Sequence, residues 1–502
     1  MRVLQTLAIT FTALIIGTAV ANCQTWQPLT NQPSFNPGAM LLLTDGTVLA
    51  HSEPNCLTCT GTDYSSWYKL KPDANGSYVN GTWTQVAPFP SGYAPLYFGS
   101  VVLPNGRVVI EGGEYNCATG SCNAVWTNQG ALYDPRKNSW TPVQPPQGWT
   151  TIGDAQTVVL PNGTYMQANC CTKEQALFNP STMTWTATGA GKFDINDEEG
   201  WTLLPSGKVL TVDAYVFQYD AAGTNSELYD PATGTWTGAG STIAQLWDSC
   251  GGSTAASYEV GPAVLRPDGT VFATGANTCG PGHTAIYNSH TGTWAAGPDF
   301  PAAYGSADGP AALEPNGNVL IFSSPSRFYP PAGQFFEWNG NSLSLTNTPA
   351  SALEDASFVG HLLVLPSGQI LFTDFSTNVE VFTPLGAPNP AWAPTISSAP
   401  TTVGRGKTYT VSGTQLNGFS QGAAYGDDFQ AATNFPLVRI VNQATGHVFY
   451  CRTHNHSTMA VATGSRKVST QFDVPATAEK GVSQLFVVAN GIPSSPFWIK
   501  VQ

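Results

Sequence analysis

Three carboxylates and a phenol stand at one fixed distance from a recurring glycine. Nine residues before Gly106, Gly163, Gly207 and Gly317 lie Tyr97, Asp154, Glu198 and Asp308. The other copies of the glycine, Gly46, Gly269 and Gly368, have Pro37, Val260 and Val359 at that place, and Asn36, Asp197 and Glu259 flank the level one residue earlier. Carboxylates converging on one small space repel one another, so such a group binds a cation, takes up protons or orders water. Tyr97, Asp154, Glu198, Glu259 and Asp308 are therefore candidate ligand-binding residues. The plainer reading is that each acid bonds to backbone amides at the start of its own strand. Paired carboxylates about 5 to 10 Å apart can also serve as acid and base in a hydrolase.

A second cluster, Arg452-Thr453-His454-Asn455-His456-Ser457, lies nearer the C-terminus. On a strand, side chains two apart share a face, which puts His454 and His456 together. Two imidazoles on one face can chelate a transition metal, or simply be solvated polar groups. They are the candidate metal ligands. The segment is expected over one mouth of a channel, with an imidazole turned toward the carboxylates.

What must position these residues is a repeat. A turn built on Gly46, Gly106, Gly163, Gly207, Gly269, Gly317 or Gly368 separates two apolar runs, such as Val101-Val102-Leu103 and Val108-Val109-Ile110, which read as a β-hairpin. A third strand and a fourth marked by Trp follow, with an aromatic seven residues before it: Tyr133 and Trp140, Phe178 and Trp185, Tyr229 and Trp236, Tyr287 and Trp294, and Phe336 with Leu343 in a substituted copy. Four strands with a Gly-rich second strand, repeated in this way, form a kelch-type propeller blade. The expected fold is all-β: a seven-bladed kelch-type β-propeller over residues 22–388, with an immunoglobulin-like β-sandwich over 389–502. The last unit lacks a fourth strand. Thr25-Trp26-Gln27-Pro28 carries the missing Trp, and is expected to close the ring beside Val379–Phe382.

Residues 1–21 have a basic start, an apolar stretch and a closing Ala19-Val20-Ala21, the pattern of a secretory signal peptide, so a secreted, extracellular or periplasmic protein is expected. No later apolar run reaches the roughly 20 residues that span a bilayer, which argues against membrane insertion. The formal net charge of -13 comes without basic stripes, which argues against nucleic acid as a partner. A surface rich in Ser, Thr, Asn and aromatic residues suits a carbohydrate or another small oxygenated ligand. Export permits disulfides, and the close pairs Cys56 and Cys59, Cys117 and Cys122, and Cys170 and Cys171 read as loop staples rather than metal ligands, with the pairing left open.

The signal peptide, the kelch ring closed by an N-terminal strand, and a terminal sandwich ending in Asn490-Gly491-Ile492-Pro493-Ser494 together resemble the galactose oxidase and glyoxal oxidase family. The resemblance implies a copper-radical oxidase of primary alcohols or aldehydes, in which a sandwich loop reaches into the channel with a copper-binding His. It also implies a Tyr–Cys crosslink, for which Tyr97 matches the Tyr while Asn36 stands where the Cys belongs. The family's Tyr-His pair falls on Phe358-Val359, and the sandwich His falls on His447, His454 or His456. The sequence therefore predicts a family scaffold that binds a glycan or divalent metal without the Tyr–Cys radical cofactor. The alternative is a copper oxidase with altered ligands.

Overall fold

The structure, a computed structural model, describes residues 24–54, 63–118, 122–216, 223–250, 257–277, 279–326, 330–427 and 431–502. The signal-peptide segment and the pair Cys56 and Cys59 lie outside the described residues. Seven sheets, each containing a four-stranded antiparallel blade, follow one another along the chain, numbered here as blades 1 to 7. Their innermost strands are Pro37–Leu42, Gly99–Val102, Thr157–Val159, Thr202–Leu203, Val260–Leu265, Ala311–Leu313 and His361–Val364. All seven turn glycines have positive φ, between 75° and 92°, a conformation that glycine adopts without a Cβ clash. Each donates its N–H to the residue three places earlier, as Gly106 does to the Leu103 carbonyl at 2.8 Å.

The aromatic–Trp spacing becomes a cross-strand pair. Tyr133 faces Trp140, Phe178 faces Trp185, Tyr229 faces Trp236 and Tyr287 faces Trp294. Each of these indoles then reaches back to the preceding blade. Trp140 Nε1 donates to the Ala87 carbonyl at 2.8 Å, Trp185 to Gln144 at 2.7 Å, Trp236 to Gln175 Oε1 at 3.2 Å and Trp294 to Ser226 Oγ at 2.9 Å. Blade 6 departs from the expected register. Leu343 pairs with Trp338, and Phe336 with Leu345, because the hairpin, with a four-residue loop as in the other copies, is centred one residue later, so that Glu337 and Ser344 take the paired positions.

Blade 7 takes its outermost strand from the other end of the chain: Thr25–Pro28 pairs antiparallel with Glu380–Thr383, Trp26 opposite Phe382. Trp26 Nε1 donates to the Asn347 carbonyl after blade 6 at 2.7 Å, so the closing strand repeats the backward hook of blades 2 to 5. Its ring lies 4.6 Å from Phe335 and 5.0 Å from Phe382. Blade 4 buries a lysine. Lys192 Nζ meets Glu199 at 2.8 Å, Asp213 at 3.3 Å and Glu227 at 2.6 Å, a charge-paired arrangement that a buried ammonium requires.

The sandwich comprises Thr395–Ser398, Thr408–Thr414, Leu437–Asn442, Val448–His454, Lys467–Asp473, Gly481–Ala489 and Phe497–Val501, with Val411, Val438, Ile440, Phe472, Leu485 and Val487 in its core. It sits on the turn end of the ring. Thr453 N–H donates to the Thr44 carbonyl at 2.9 Å, Arg452 Nη2 to Asn105 at 2.8 Å and Met459 N–H to Pro161 at 3.0 Å, all residues of hairpin turns. Cys117–Cys122 and Cys250–Cys279 are disulfides, as an oxidising compartment favours. Among the described residues, no helix is long and apolar enough to cross a membrane.

Candidate functional site

The seven inner strands begin at the end of the channel away from the sandwich. Tyr97, Asp154, Glu198, Glu259 and Asp308 line one cavity there, of about 290 Å³, together with Glu114, Tyr115, Phe358, Tyr425 and Asp427. The repeat register thus brings its five polar candidates to a single space. Tyr97, Glu198 and Asp308 hold φ of 52°, 56° and 42°, and Gly153 at 73° precedes Asp154. Non-glycine residues in this region each cost about 1–3 kcal/mol and concentrate where a binding site overrides backbone preference.

The C-terminal half does reach the cavity, by a route the sequence reading missed. The long connection between Thr408–Thr414 and Leu437–Asn442 enters from the turn end and climbs beside blade 6. Leu313 N–H donates to the Gly422 carbonyl at 2.6 Å, and Ala423 and Ala424 pair with Ala312 and Ala311. Gly426 then passes so close to Asp308 that a Cβ there would lie 2.6 Å from its carboxylate. Tyr425 Oη donates to the Phe358 carbonyl at 2.5 Å, its ring stacks on His361 at 5.2 Å, and Asp427 emerges among the acids.

Glu198, Asp308 and Asp427, from blade 4, blade 6 and the inserted loop, have oxygens within 4.8 Å of one another. Asp154 Oδ1, Glu259 Oε2 and Asp308 Oδ1 are buried oxygens without a hydrogen-bonding partner. Burial raises the carboxyls of Glu114, Asp154, Glu198, Glu259 and Asp308, and repulsion from neighbouring acids adds to it at the first four. Asp154 is pushed up to about 8 by burial and then by the charges of Glu114 and Asp197. Glu114 rises to about 7, chiefly through burial. Glu198 and Glu259 stand well above the usual carboxylate range through burial, with Asp427 and Asp308 beside the first, and Asp308 and Glu198 beside the second. No Lys, Arg or His is among the described residues lining the cavity. The site therefore holds protons near neutral pH or trades them for a cation.

His454 and His456 are not brought to these acids. They belong to the segment seated on the turns of blades 1 to 3, at the opposite end of the inner strands. That is on the order of 20 Å away for a strand of this length. Nor do they form a matched pair. The strand ends at His454, Asn455 turns to φ 52°, and the alternation of faces stops there. His454 Nε2 pairs with Asp473 at 3.1 Å, whereas His456 Nδ1 bonds Thr470 Oγ1 at 2.8 Å and its ring stacks on Phe435. Burial, aided by the charges of His454 and Arg452, pushes His456 down to about 3. His447 is likewise engaged elsewhere, at 2.7 Å from Glu479.

Cys170 and Cys171 bring their Sγ atoms to 2.6 Å of each other, and with Asp197 they make the second close group of ligand-type atoms among the described residues.

A copper-radical centre does not fit these donors. Carboxylates and phenols are the ligand groups that line the cavity, a hard oxygen set that suits Ca²⁺, Mg²⁺ or Mn²⁺, and among the described lining residues there is no imidazole to complete the mixed nitrogen and oxygen set that Cu²⁺ favours. Phe358 has no phenol to give, and Asn36 carries an amide that donates to the Phe375 carbonyl at 2.6 Å.

No known protein-family model matches the chain. The Kelch-like protein terF of Aspergillus terreus (strain NIH 2624 / FGSC A1156) is 28% identical over 127 residues, 25% of this chain and 26% of that protein. The chain thus matches well under two thirds of that relative. Among solved structures, a fungal alcohol oxidase of the AA5 family, in complex with copper, aligns over 96% of this chain and 100% of its own, with TM-score 0.51 and 14% identity. A streptogramin B lyase aligns over 72% of this chain and 97% of its own, with TM-score 0.47 and 10% identity. The first likeness shows a galactose oxidase-like fold, a kelch-type propeller with its C-terminal sandwich.

Proposed function

We propose that this chain is an exported, galactose oxidase-like propeller protein that binds a hard divalent cation between Glu198, Asp308 and Asp427 and, through it, a hydroxyl-rich ligand such as a carbohydrate. The observation that carries this reading is the convergence of those three carboxylates from three separate segments, with buried oxygens of Asp154, Glu259 and Asp308 left without partners. Orphaned buried oxygens are costly, and a divalent cation satisfies several at once. The neighbouring phenols of Tyr97 and Tyr115 offer hydroxyls and ring faces to a sugar. Calorimetric titration of the protein with Ca²⁺, Mg²⁺ and Mn²⁺, repeated on Glu198→Gln/Asp427→Asn, tests it. At least one cation binds the parent protein, and the double variant binds it at least roughly tenfold more weakly, a difference of about 1.4 kcal/mol. No binding by any of the three, or equal binding by the variant, refutes the reading.

The donor set supports a binding role over radical oxidation. Copper-loaded protein is expected to release no peroxide from galactose or glyoxal above the background of Tyr97→Phe. Peroxide release abolished by that substitution would favour the oxidase alternative instead.

A further inference from the structure

Beside the acidic cavity, the adjacent cysteines occupy a turn that no role above explains. Cys170 is buried and Cys171 is exposed, with φ 66°. Their main chain bridges two of the segments that supply the cavity. Cys170 N–H donates to the Ile152 carbonyl at 2.9 Å, two residues before Asp154, and Cys171 N–H donates to the Asn196 carbonyl at 3.3 Å, two residues before Glu198. The turn is closed by Asn196 N–H donating to the Thr172 carbonyl at 2.6 Å. Cys170 Sγ lies 3.4 Å from Asp197 Oδ1, and its Cβ side abuts Gly153, where any added Cβ would come within 2.9 Å.

We propose that Cys170 and Cys171 form a vicinal disulfide that braces the Asp154 and Glu198 segments against each other. Sulfurs in contact, an exposed attacking position at Cys171, and a chain that already carries two disulfides supply geometry, access and oxidising conditions. Formation is an exchange with the disulfide of an oxidising dithiol protein. The Cys171 thiolate attacks one sulfur of that disulfide, and the partner's S–S bond breaks. Cys170 then displaces the partner, its electron pair forming the Sγ–Sγ bond. The two thiol protons of the pair end on the partner's two sulfurs, which leave reduced. Joined side chains on neighbouring residues close a small ring that holds the turn, and with it both flanking carbonyl contacts. The proposal stands apart from the cation reading, since it concerns bonding at the turn and not what the cavity holds.

The test is peptide mass spectrometry of purified full-length protein, denatured without reductant and treated with N-ethylmaleimide. The peptide containing both cysteines is expected unmodified and two hydrogens lighter than the dithiol, and it should gain two labels only after phosphine reduction. Labelling of both residues without reduction, or a bond from either to another cysteine, overturns the pairing. So does stoichiometric zinc held by the unreduced protein and lost in Cys170→Ser/Cys171→Ser. Bracing is read by hydrogen exchange at the amides of Cys170, Cys171 and Asn196. Exchange is expected roughly tenfold faster after selective reduction and in the double serine variant, with the sandwich amides unchanged. Identical protection in the oxidised and reduced forms overturns the bracing.

Discussion

Replacing Gly426 by Ala probes the inserted loop and the cluster together. A Cβ at that position would stand 2.6 Å from Asp308 Oδ1, 2.8 Å from Asp308 Cα and 3.1 Å from the Val260 carbonyl, where ordinary contacts begin at 3.4 Å. Relief therefore requires a displacement of about 0.8 Å, and two of the three obstacles are backbone atoms that cannot swing aside. Overpacking of this kind typically costs about 1–3 kcal/mol. Asp427 is the next residue and moves with the loop, while metal–ligand distances tolerate only about 0.2 Å. Gly426→Ala should thus lower the urea midpoint and weaken cation binding at least roughly tenfold, because one carboxylate leaves the set. Calorimetric titration and equilibrium unfolding on the same samples check both. A variant with the parent's midpoint and the parent's affinity would show that the loop does not pass beside Asp308 as described.

Trp26→Ala removes a half-buried indole, its contacts with Phe335 and Phe382, and the bond to Asn347, and should destabilise the protein by about 2–4 kcal/mol in a urea titration. Lys192→Met leaves Glu199, Asp213 and Glu227 buried against one another and should lose about 3–5 kcal/mol, partly recovered when two of the acids become amides; unfolding midpoints read both. His456 carries a pH dependence. Its folded pKa, about 3, lies below the unfolded value near 6.5, so its contribution to stability is present above pH 6.5 and is lost as pH falls toward 3. The loss is at most about 5 kcal/mol. His456→Phe should therefore flatten the acid limb of the stability curve between pH 6.5 and 4 while leaving cation affinity unchanged, measured by urea unfolding and titration.

The ring was legible because most blades solve one problem with one set of residues. A glycine at positive φ turns each hairpin, and in five of the seven blades a Trp in the fourth strand hooks the blade behind. Equal counting from the glycine carries Tyr97, Asp154, Glu198 and Asp308 to one level, since strands in register advance together. The method fails wherever a contributor has no copy in the repeat. Glu114 and Tyr115 follow the Gly112-Gly113 end of a second strand, and Tyr425-Gly426-Asp427 belongs to a loop of the sandwich that has no copy in the repeat. Its length, and two adjacent acids among Gly and Ala, were the available signals: a long loop inside a small sandwich usually has work to do. His454 and His456 misled because the period of two was carried past the last residue of its strand, and because the end of the ring they cover is set by the turns, not by charge.

The passage of residues 422–427 along the inside of the ring turns the molecule into a wheel with an axle, and it can be finished only from both ends of the chain. During synthesis the rim strand at Thr25–Pro28 leaves the ribosome first yet has nothing to clasp until Thr383 has followed. The axle comes later still. A chain halted after Thr383 would close its rim around an unfilled hub, with the inner acids facing one another and no Asp427 among them. Late truncations, ordinarily the mildest, would here leave the rim closed and the hub without its acid, and the wheel stays open for nearly the whole of translation.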